Sequence, residues 1–137
     1  MDVADLAWLA GILDGEGCLT SKQNSPRGLT CVVTIESVNE AMVRRILHIL
    51  ERFGIAFVTE GPLMRKRSTR PSMRVRIHRK QAVFEFCNLI LPYSVVKRPE
   101  LLLFQQFLAK ASAVTYYRAT DEDLQLPGKI KELKRLA

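Results

Sequence analysis

The sequence predicts an α+β domain of order αββαββα, a four-stranded antiparallel sheet with helices on one face and a polar, basic surface on the other. Three features predict it. Residues 4–14, ADLAWLAGILD, are apolar nearly all the way round, as in a helix buried on several sides. Two pairs of later segments alternate apolar and polar residues with a period of two, the pattern of half-buried strands. Between and beyond those pairs, apolar residues return at helical spacing.

Each element carries its own signals. Asp2 and Asp5 suit the positive end of the first helix dipole, and Gly15 and Gly17 are placed to stop that helix. From Cys18 onward, Thr20, Lys22 and Asn24 alternate with Leu19, Ser21 and Gln23. A turn at 25–28 (SPRG) leads into LTCVVTIES, 29–37, where Leu29, Cys31, Val33 and Ile35 alternate with Thr30, Val32, Thr34 and Glu36. Over 39–53, Met42, Val43, Ile46, Leu47, Leu50 and Phe53 form a helical stripe opposite Arg44, Arg45, Glu51 and Arg52, with Gly54 as the C-cap. IAFVTE, 55–60, predicts a third strand, and 61–72 a basic loop punctuated by proline. MRVRIHR, 73–79, predicts a fourth, with Met73, Val75 and Ile77 on one face and Arg74, Arg76 and His78 on the other. QAVFEFCNLIL, 81–91, predicts a helix ending before Pro92, and Pro99 opens another through Leu101, Phe104 and Leu108. Thr120 with Asp123 resembles a capping box, and Pro127-Gly128 is expected to break the tail before a short basic helix, KIKELKRL. Residues 1–115 read as the main domain and 116–137 as a helical tail packed on it.

At 137 residues and 47% hydrophobic, the chain suffices for one domain with a real core. Its net charge of +7 favours a polyanionic partner, since each phosphate neutralised releases condensed counterions. Cys18, Cys31 and Cys87, like His48 and His78, are scattered, which argues against zinc and for reduced thiols. The chain lacks a signal-peptide pattern and any apolar run of about 18 residues, so an intracellular protein, cytoplasmic or organellar, is expected, without membrane attachment. No small-molecule organic cofactor is expected either.

Residues 9–17 read LAGILDGEG. Ala7, Gly11 and Gly15 recur every four residues and line one helix strip almost without side chains. Such a strip lets a second helix approach closer than the usual distance of about 8–10 Å. No other predicted helix has a matching strip. The simplest partner is therefore a second copy of the chain across a two-fold axis, with Ala7, Trp8, Gly11, Ile12 and Gly15 in the contact. That axis brings two copies of Glu16 together at the negative helix ends. Two carboxylates about 6 Å apart repel by roughly 3 kcal/mol at an effective dielectric near 20. Divalent cations would relieve the repulsion, and carboxylates holding metal beside a basic sheet suit phosphodiester hydrolysis. Spacing alone leaves a second reading open, in which Glu16 is a solvated acid at a capped helix end.

LAGILDGEG resembles the signature nonapeptide of the LAGLIDADG homing endonucleases, with exchanges at Ile12, Leu13, Gly15 and Glu16. The αββαββα order extends the resemblance to about residue 110. The resemblance implies a single-motif, homodimeric enzyme that makes a metal-dependent double-strand break in a long, near-palindromic DNA target. It also implies that Glu16, at the eighth motif position, and the backbone carbonyl of Gly15 bind Mg2+ or another divalent cation such as Mn2+. Asp is commoner than Glu there, but the carboxylate is preserved. Asp14, at the sixth position, reads as structural. Lys97, in PYSVVK, stands where the family often has a basic residue that activates water or stabilises the transition-state phosphate. Arg98 is a second candidate, and a solvated helix-start lysine is the plain alternative. The family often carries a polar group near the end of the second strand; Glu36, Ser37 and Asn39 lie there, none a clean match.

The resemblance further implies that the polar sheet face reads double-stranded DNA in the major groove. By alternation the candidates are Thr20, Lys22, Asn24, Thr30, Thr34, Thr59, Arg74, Arg76 and His78, where Arg suits guanine and Asn adenine. Arg65, Lys66, Arg67 and Arg70 in the loop are expected at phosphates, which position the protein without specifying sequence. Two other readings stay open. One is a non-catalytic RNA maturase or DNA-binding regulator on the same scaffold; the other is a small basic interaction module, which would leave the nonapeptide unexplained.

Overall fold

The structure, a computed structural model, describes residues 2–66 and 69–136. In chain order it contains α1 (Asp2–Glu16), β1 (Gly17–Ser25), β2 (Gly28–Ser37), α2 (Glu40–Arg52), β3 (Val58–Leu63), β4 (Ser72–Ile77), α3 (Lys80–Ile90), α4 (Arg98–Ala111) and α5 (Leu126–Leu136), with a 3-10 turn at Asp123–Gln125. The four strands form one antiparallel sheet in the order β1-β2-β4-β3, so the two hairpins meet through the central β2–β4 pair. The α+β class and the αββαββα order are those expected.

Strand alternation decides which sheet face is buried. Leu19, Cys31, Val33, Ile35, Val75 and Ile77 are buried under the helices, while Thr20, Val32, Thr34, Glu36, Arg74 and Arg76 stay half-buried on the opposite face. Leu9 and Leu13 of α1, Ile46 and Ile49 of α2, Phe86 and Ile90 of α3, and Leu101, Phe104 and Leu108 of α4 complete the core. Full burial of one such side chain contributes about 1.5–3 kcal/mol, far more than an exposed ion pair, so this layer seats the helices on the sheet. The second helix is capped at both ends. The Asn39 side chain accepts a hydrogen bond from the Met42 backbone N–H at 3.0 Å. At the other end Gly54, with φ +71°, lets its own N–H reach the Glu51 carbonyl and that of Ile55 reach Leu50.

Several boundaries depart from the sequence expectation. α1 continues through Gly15 to Glu16 and passes into β1 without a loop. Gly17 permits this, because a Cβ there would lie 2.4 Å from Leu13 Cδ1 and 2.7 Å from the Leu13 carbonyl. Nor is α1 buried on several sides: Leu6, Leu9, Ala10 and Leu13 are buried, but Ala7, Gly11 and Gly15 are exposed. The third strand starts at Val58 rather than 55, because Ile55 closes the cap of α2 and buries its side chain. It also runs through Pro62, which an edge strand tolerates. β4 stops at Ile77, which leaves His78 beyond the ladder. Pro127 and Gly128 lie inside α5, with Pro127 in the first turn, where no intrahelical N–H bond is lost.

The tail is fastened to the rest of the chain. The Ala119 N–H donates to the Arg27 carbonyl at 3.0 Å, and α5 packs on β1 and α4. Asp123 accepts from Lys110 Nζ at 2.7 Å, Tyr117 Oη at 2.6 Å and the Thr120 N–H at 3.0 Å, while Thr120 Oγ1 accepts from the Asp123 N–H at 3.1 Å. That reciprocal pair is the capping box read from the sequence. Cys31 and Cys87 are buried thiols, with desolvation pushing the Cys31 thiol up to about 12. Among the described residues no helix is long and apolar enough to cross a membrane.

Candidate metal and nucleic-acid site

Two acids at the end of α1 have opposite surroundings. Glu16, its last residue, is exposed, and among the described residues no hydrogen bond or ion pair engages its carboxylate. Asp14 accepts from Ser94 Oγ at 2.7 Å and from the backbone N–H groups of Lys97 and Val95, both at 2.9 Å. Burial works to raise the Asp14 pKa, but the hydrogen bonds from Ser94, Lys97, Val95 and Val96 outweigh it and leave the carboxyl below its ordinary value. These bonds tie the segment between α3 and α4 to the helix end that carries Glu16. Lys97, the N-cap of α4, is thereby anchored through its backbone. Arg98, the other candidate cation, donates to the Leu91 carbonyl at 2.7 Å. No ion pair engages Lys97 among the described residues.

The strip beside Glu16 is bare. Ala7, Gly11 and Gly15 are exposed along one line, headed by Val3 at 61% exposure. A Cβ added at Gly11 or Gly15 would meet nothing within 4 Å. A helical glycine is about 1 kcal/mol less favourable than alanine, and among the described residues no close contact requires one at Gly11 or Gly15. Trp8 and Ile12 flank the strip, half-buried; the Arg45 guanidinium covers the Trp8 ring, 4.3 Å from its centroid. Arg52 pairs with Asp2 and, at 2.9 Å, with Asp5, which holds the start of α1 against α2.

A carboxylate and backbone carbonyls at a helix C-terminus are hard oxygen donors of the kind Mg2+ takes. Among the described residues, however, no three His, Cys, Asp or Glu side chains cluster as metal ligands. Among the described residues, a single chain thus presents Glu16 and the helix-end carbonyls as its oxygen donors at this end of α1.

On the polar sheet face, register arranges the candidates in rows. Thr20 lies opposite Val32 and Lys22 opposite Thr30; Arg76 lies between Thr34 and Val58, and Arg74 between Glu36 and Glu60. The Thr30 hydroxyl donates to the Lys22 carbonyl at 3.3 Å, and Asn24 is exposed near the end of β1. Thr59 corrects the sequence reading. It pairs with Val75, a core-facing residue, and so belongs to the helix side of the edge strand; Val58 and Glu60 hold the polar-face positions. His78 lines a groove of about 420 Å³ with Asn24, Thr30, Lys80 and Tyr116. Lys66 and Arg70 are exposed in the loop, and Arg67 lies outside the described residues.

The residue that sequence reasoning underrated is Glu36. Its Oε2 accepts from Arg65 Nε at 2.9 Å and Ser72 Oγ at 2.7 Å, and its Oε1 from Arg65 Nη2 at 2.6 Å and Arg74 Nε at 3.3 Å. Arg74 Nη1 donates in turn to Glu60 at 3.3 Å. The Arg65 hydrogen bond, followed by that of Ser72, brings the Glu36 pKa down to about 2. Ser37 and Asn39, the other polar residues noted there, serve the start of α2, with Ser37 Oγ accepting from the Asn39 N–H at 3.1 Å. An acid on the outward frame of a strand, facing a sheet otherwise rich in arginine, is the signal that points to Glu36.

Comparison with known proteins identifies the domain family and the fold. The family model of the LAGLIDADG-like domain matches residues 4–90. The homing endonuclease I-CvuI, solved in complex with its target in the presence of Ca, superposes with a TM-score of 0.72 at 20% identity, covering 96% of this chain and 83% of that one. The homing endonuclease I-TnaI gives 0.64 at 17% identity, over 95% of this chain and 93% of its own. An archaeal intron-encoded homing endonuclease, I-Vdi141I, complexed with DNA, gives 0.61 at 14% identity, over 98% and 99%. No curated protein matches the chain.

Proposed function

We propose that this chain, which belongs to the LAGLIDADG-like domain family, is a site-specific homing endonuclease that acts as a homodimer on a long, near-palindromic DNA target. The observation that carries the proposal is Glu16, an exposed acid without a partner among the described residues, beside the open strip of Ala7, Gly11 and Gly15. A second copy seated on that strip, flanked by Trp8 and Ile12, brings two Glu16 carboxylates to one axis. Glu16 and the Gly15 carbonyl are the groups that would hold Mg2+ or Mn2+. A cation held there would supply Lewis-acid activation and neutralise charge at a scissile phosphate.

The chain's own residues do the rest. Asp14 fixes the backbone of Lys97, whose ammonium then offers a positive charge and proton donors to the phosphate or to the attacking water. Thr20, Lys22, Asn24, Thr30, Thr34 and Arg76 present the sheet face to the major groove with Arg74 in their midst tied to Glu36 and Glu60, His78 meets its border, and Lys66, Arg67 and Arg70 meet phosphates. Two solved neighbours of the same fold, I-CvuI and I-Vdi141I, are complexed with their target or with DNA, which supports a DNA partner for this chain.

The test incubates the wild type and Glu16→Gln with candidate intron-insertion duplexes, with and without magnesium. The wild type is expected to cut only with the metal, and the variant to bind without cutting. Wild-type binding without scission under any divalent cation would instead support the maturase or regulator reading. Light scattering that finds a monomer at micromolar concentration would overturn the dimer.

A further inference from the structure

We propose that Glu36 and Arg65 form a base-reading pair, in which Glu36 fixes the guanidinium so that Arg65 reads a guanine in the inner part of each half-site. The proposal rests on the DNA-binding reading above and assigns Arg65 to a base rather than to phosphate. Arg65 meets Glu36 with one edge only, Nε and Nη2, at 2.9 and 2.6 Å. The other edge of a guanidinium, its Nη1/Nη2 pair, is the fork that matches O6 and N7 of guanine. Glu36 itself is no reader of cytosine, because each of its oxygens already accepts two hydrogen bonds. Arg74 is no reader either, since it turns Nε and Nη2 to Glu36 and Nη1 to Glu60. It acts as a buttress.

Two consequences favour specificity over general affinity. Arg65 is ordered before DNA arrives, so less rotamer freedom is lost on binding. Arg65 and Arg74 are also balanced by Glu36 and Glu60, so the cluster adds little to the phosphate attraction that every sequence shares. Register locates the base read. Glu36 adjoins Ile35, which pairs with Gly17, next to Glu16; the Lys22–Thr30 row lies six residues further along β2. At about 3.3 Å per residue that is roughly 20 Å, or about six base pairs at 3.4 Å each. Arg65 therefore reads near the cut and Lys22 far from it.

Selection of binders from a randomised double-stranded DNA library, for the wild type, Arg65→Ala and Glu36→Gln at two salt concentrations, tests this. The wild type should enrich guanine at one symmetric inner position. Arg65→Ala should lose about tenfold or more of that preference while other positions keep theirs. Glu36→Gln, similar in size, should lower the same preference and steepen the salt dependence by about one counterion. A thermal melt confirms that each variant is folded. Equal weakening on all sequences by Arg65→Ala would mean a phosphate contact and overturn the proposal, as would full preference in Glu36→Gln. A wild type that enriches no sequence at all would overturn the DNA-reading premise itself.

Discussion

The polar face of the sheet and the end of α1 each carry an acid on a basic protein, and they treat it in opposite ways. On the sheet, Glu36 is met by Arg65, Ser72 and Arg74. At the helix end, Asp14 collects donors from Ser94, Val95 and Lys97, while Glu16, two residues on, has none among the described residues. An acid satisfied within the chain fixes its partners in place, as Asp14 fixes the backbone of Lys97 and Glu36 the guanidinium of Arg65. An acid left alone at the negative end of a helix is unfavourably placed until something outside the chain compensates it. The contrast distinguishes carboxylates that are satisfied within the chain from one that is not.

The largest expected effect tests that separation directly. Glu16→Gln should lower cleavage by on the order of 10³-fold, the loss of several kcal/mol of charge stabilisation, with melting temperature and DNA affinity nearly unchanged. Cleavage within tenfold of wild type would erase the distinction. Next comes the strip. Gly11→Leu fills space that is open within the chain, so the fold should hold while self-association weakens by roughly ten- to a hundredfold, read by sedimentation. Asp14→Ala should reduce the free energy of unfolding by about 2–3 kcal/mol, because three donors lose their acceptor, and chemical denaturation measures it. It should slow cleavage as well, though Glu16 is intact. If stability stays unchanged, Asp14 is not the structural acid of the pair.

The smallest effect concerns pH. Glu36 titrates near 4.5 when unperturbed and at about 2 in the folded chain, so unfolding takes up protons between those values. Its contribution to stability is present in full above about 4.5 and is lost as pH falls toward 2. Glu36→Gln should therefore show a shallower loss of stability over that window, as followed by circular dichroism. Identical slopes would show that the cluster forms no tighter bond than the unfolded chain does.

Much of this was legible in the residues. The period-two stretches placed the buried face of β1, β2 and β4 through Leu19, Val33, Ile35 and Val75, since alternation directly reports which side meets water. The repeat of Ala7, Gly11 and Gly15 located the bare strip, and the motif located Glu16. The frame of β3 was not legible, because no proline or glycine rule states which carbonyl an edge strand will choose, and Thr59 fell on the opposite side. The hub at Glu36 was hidden for the same reason: its partners come from the loop and from β4, 29–38 residues away.

By itself, then, the sequence determined the class of fold, the succession of helices and strands, the basic face and the acid at the end of the first helix. All of these follow from side-chain periodicity and local backbone preference, which act over a few residues. Only the tertiary structure decided that Glu36, Arg74 and Glu60 share one row, and that Asp14 reaches across more than 80 residues to hold Lys97. Register and long-range hydrogen bonds are set when separate segments close over a common core, and no local pattern encodes which donor will then face which acceptor.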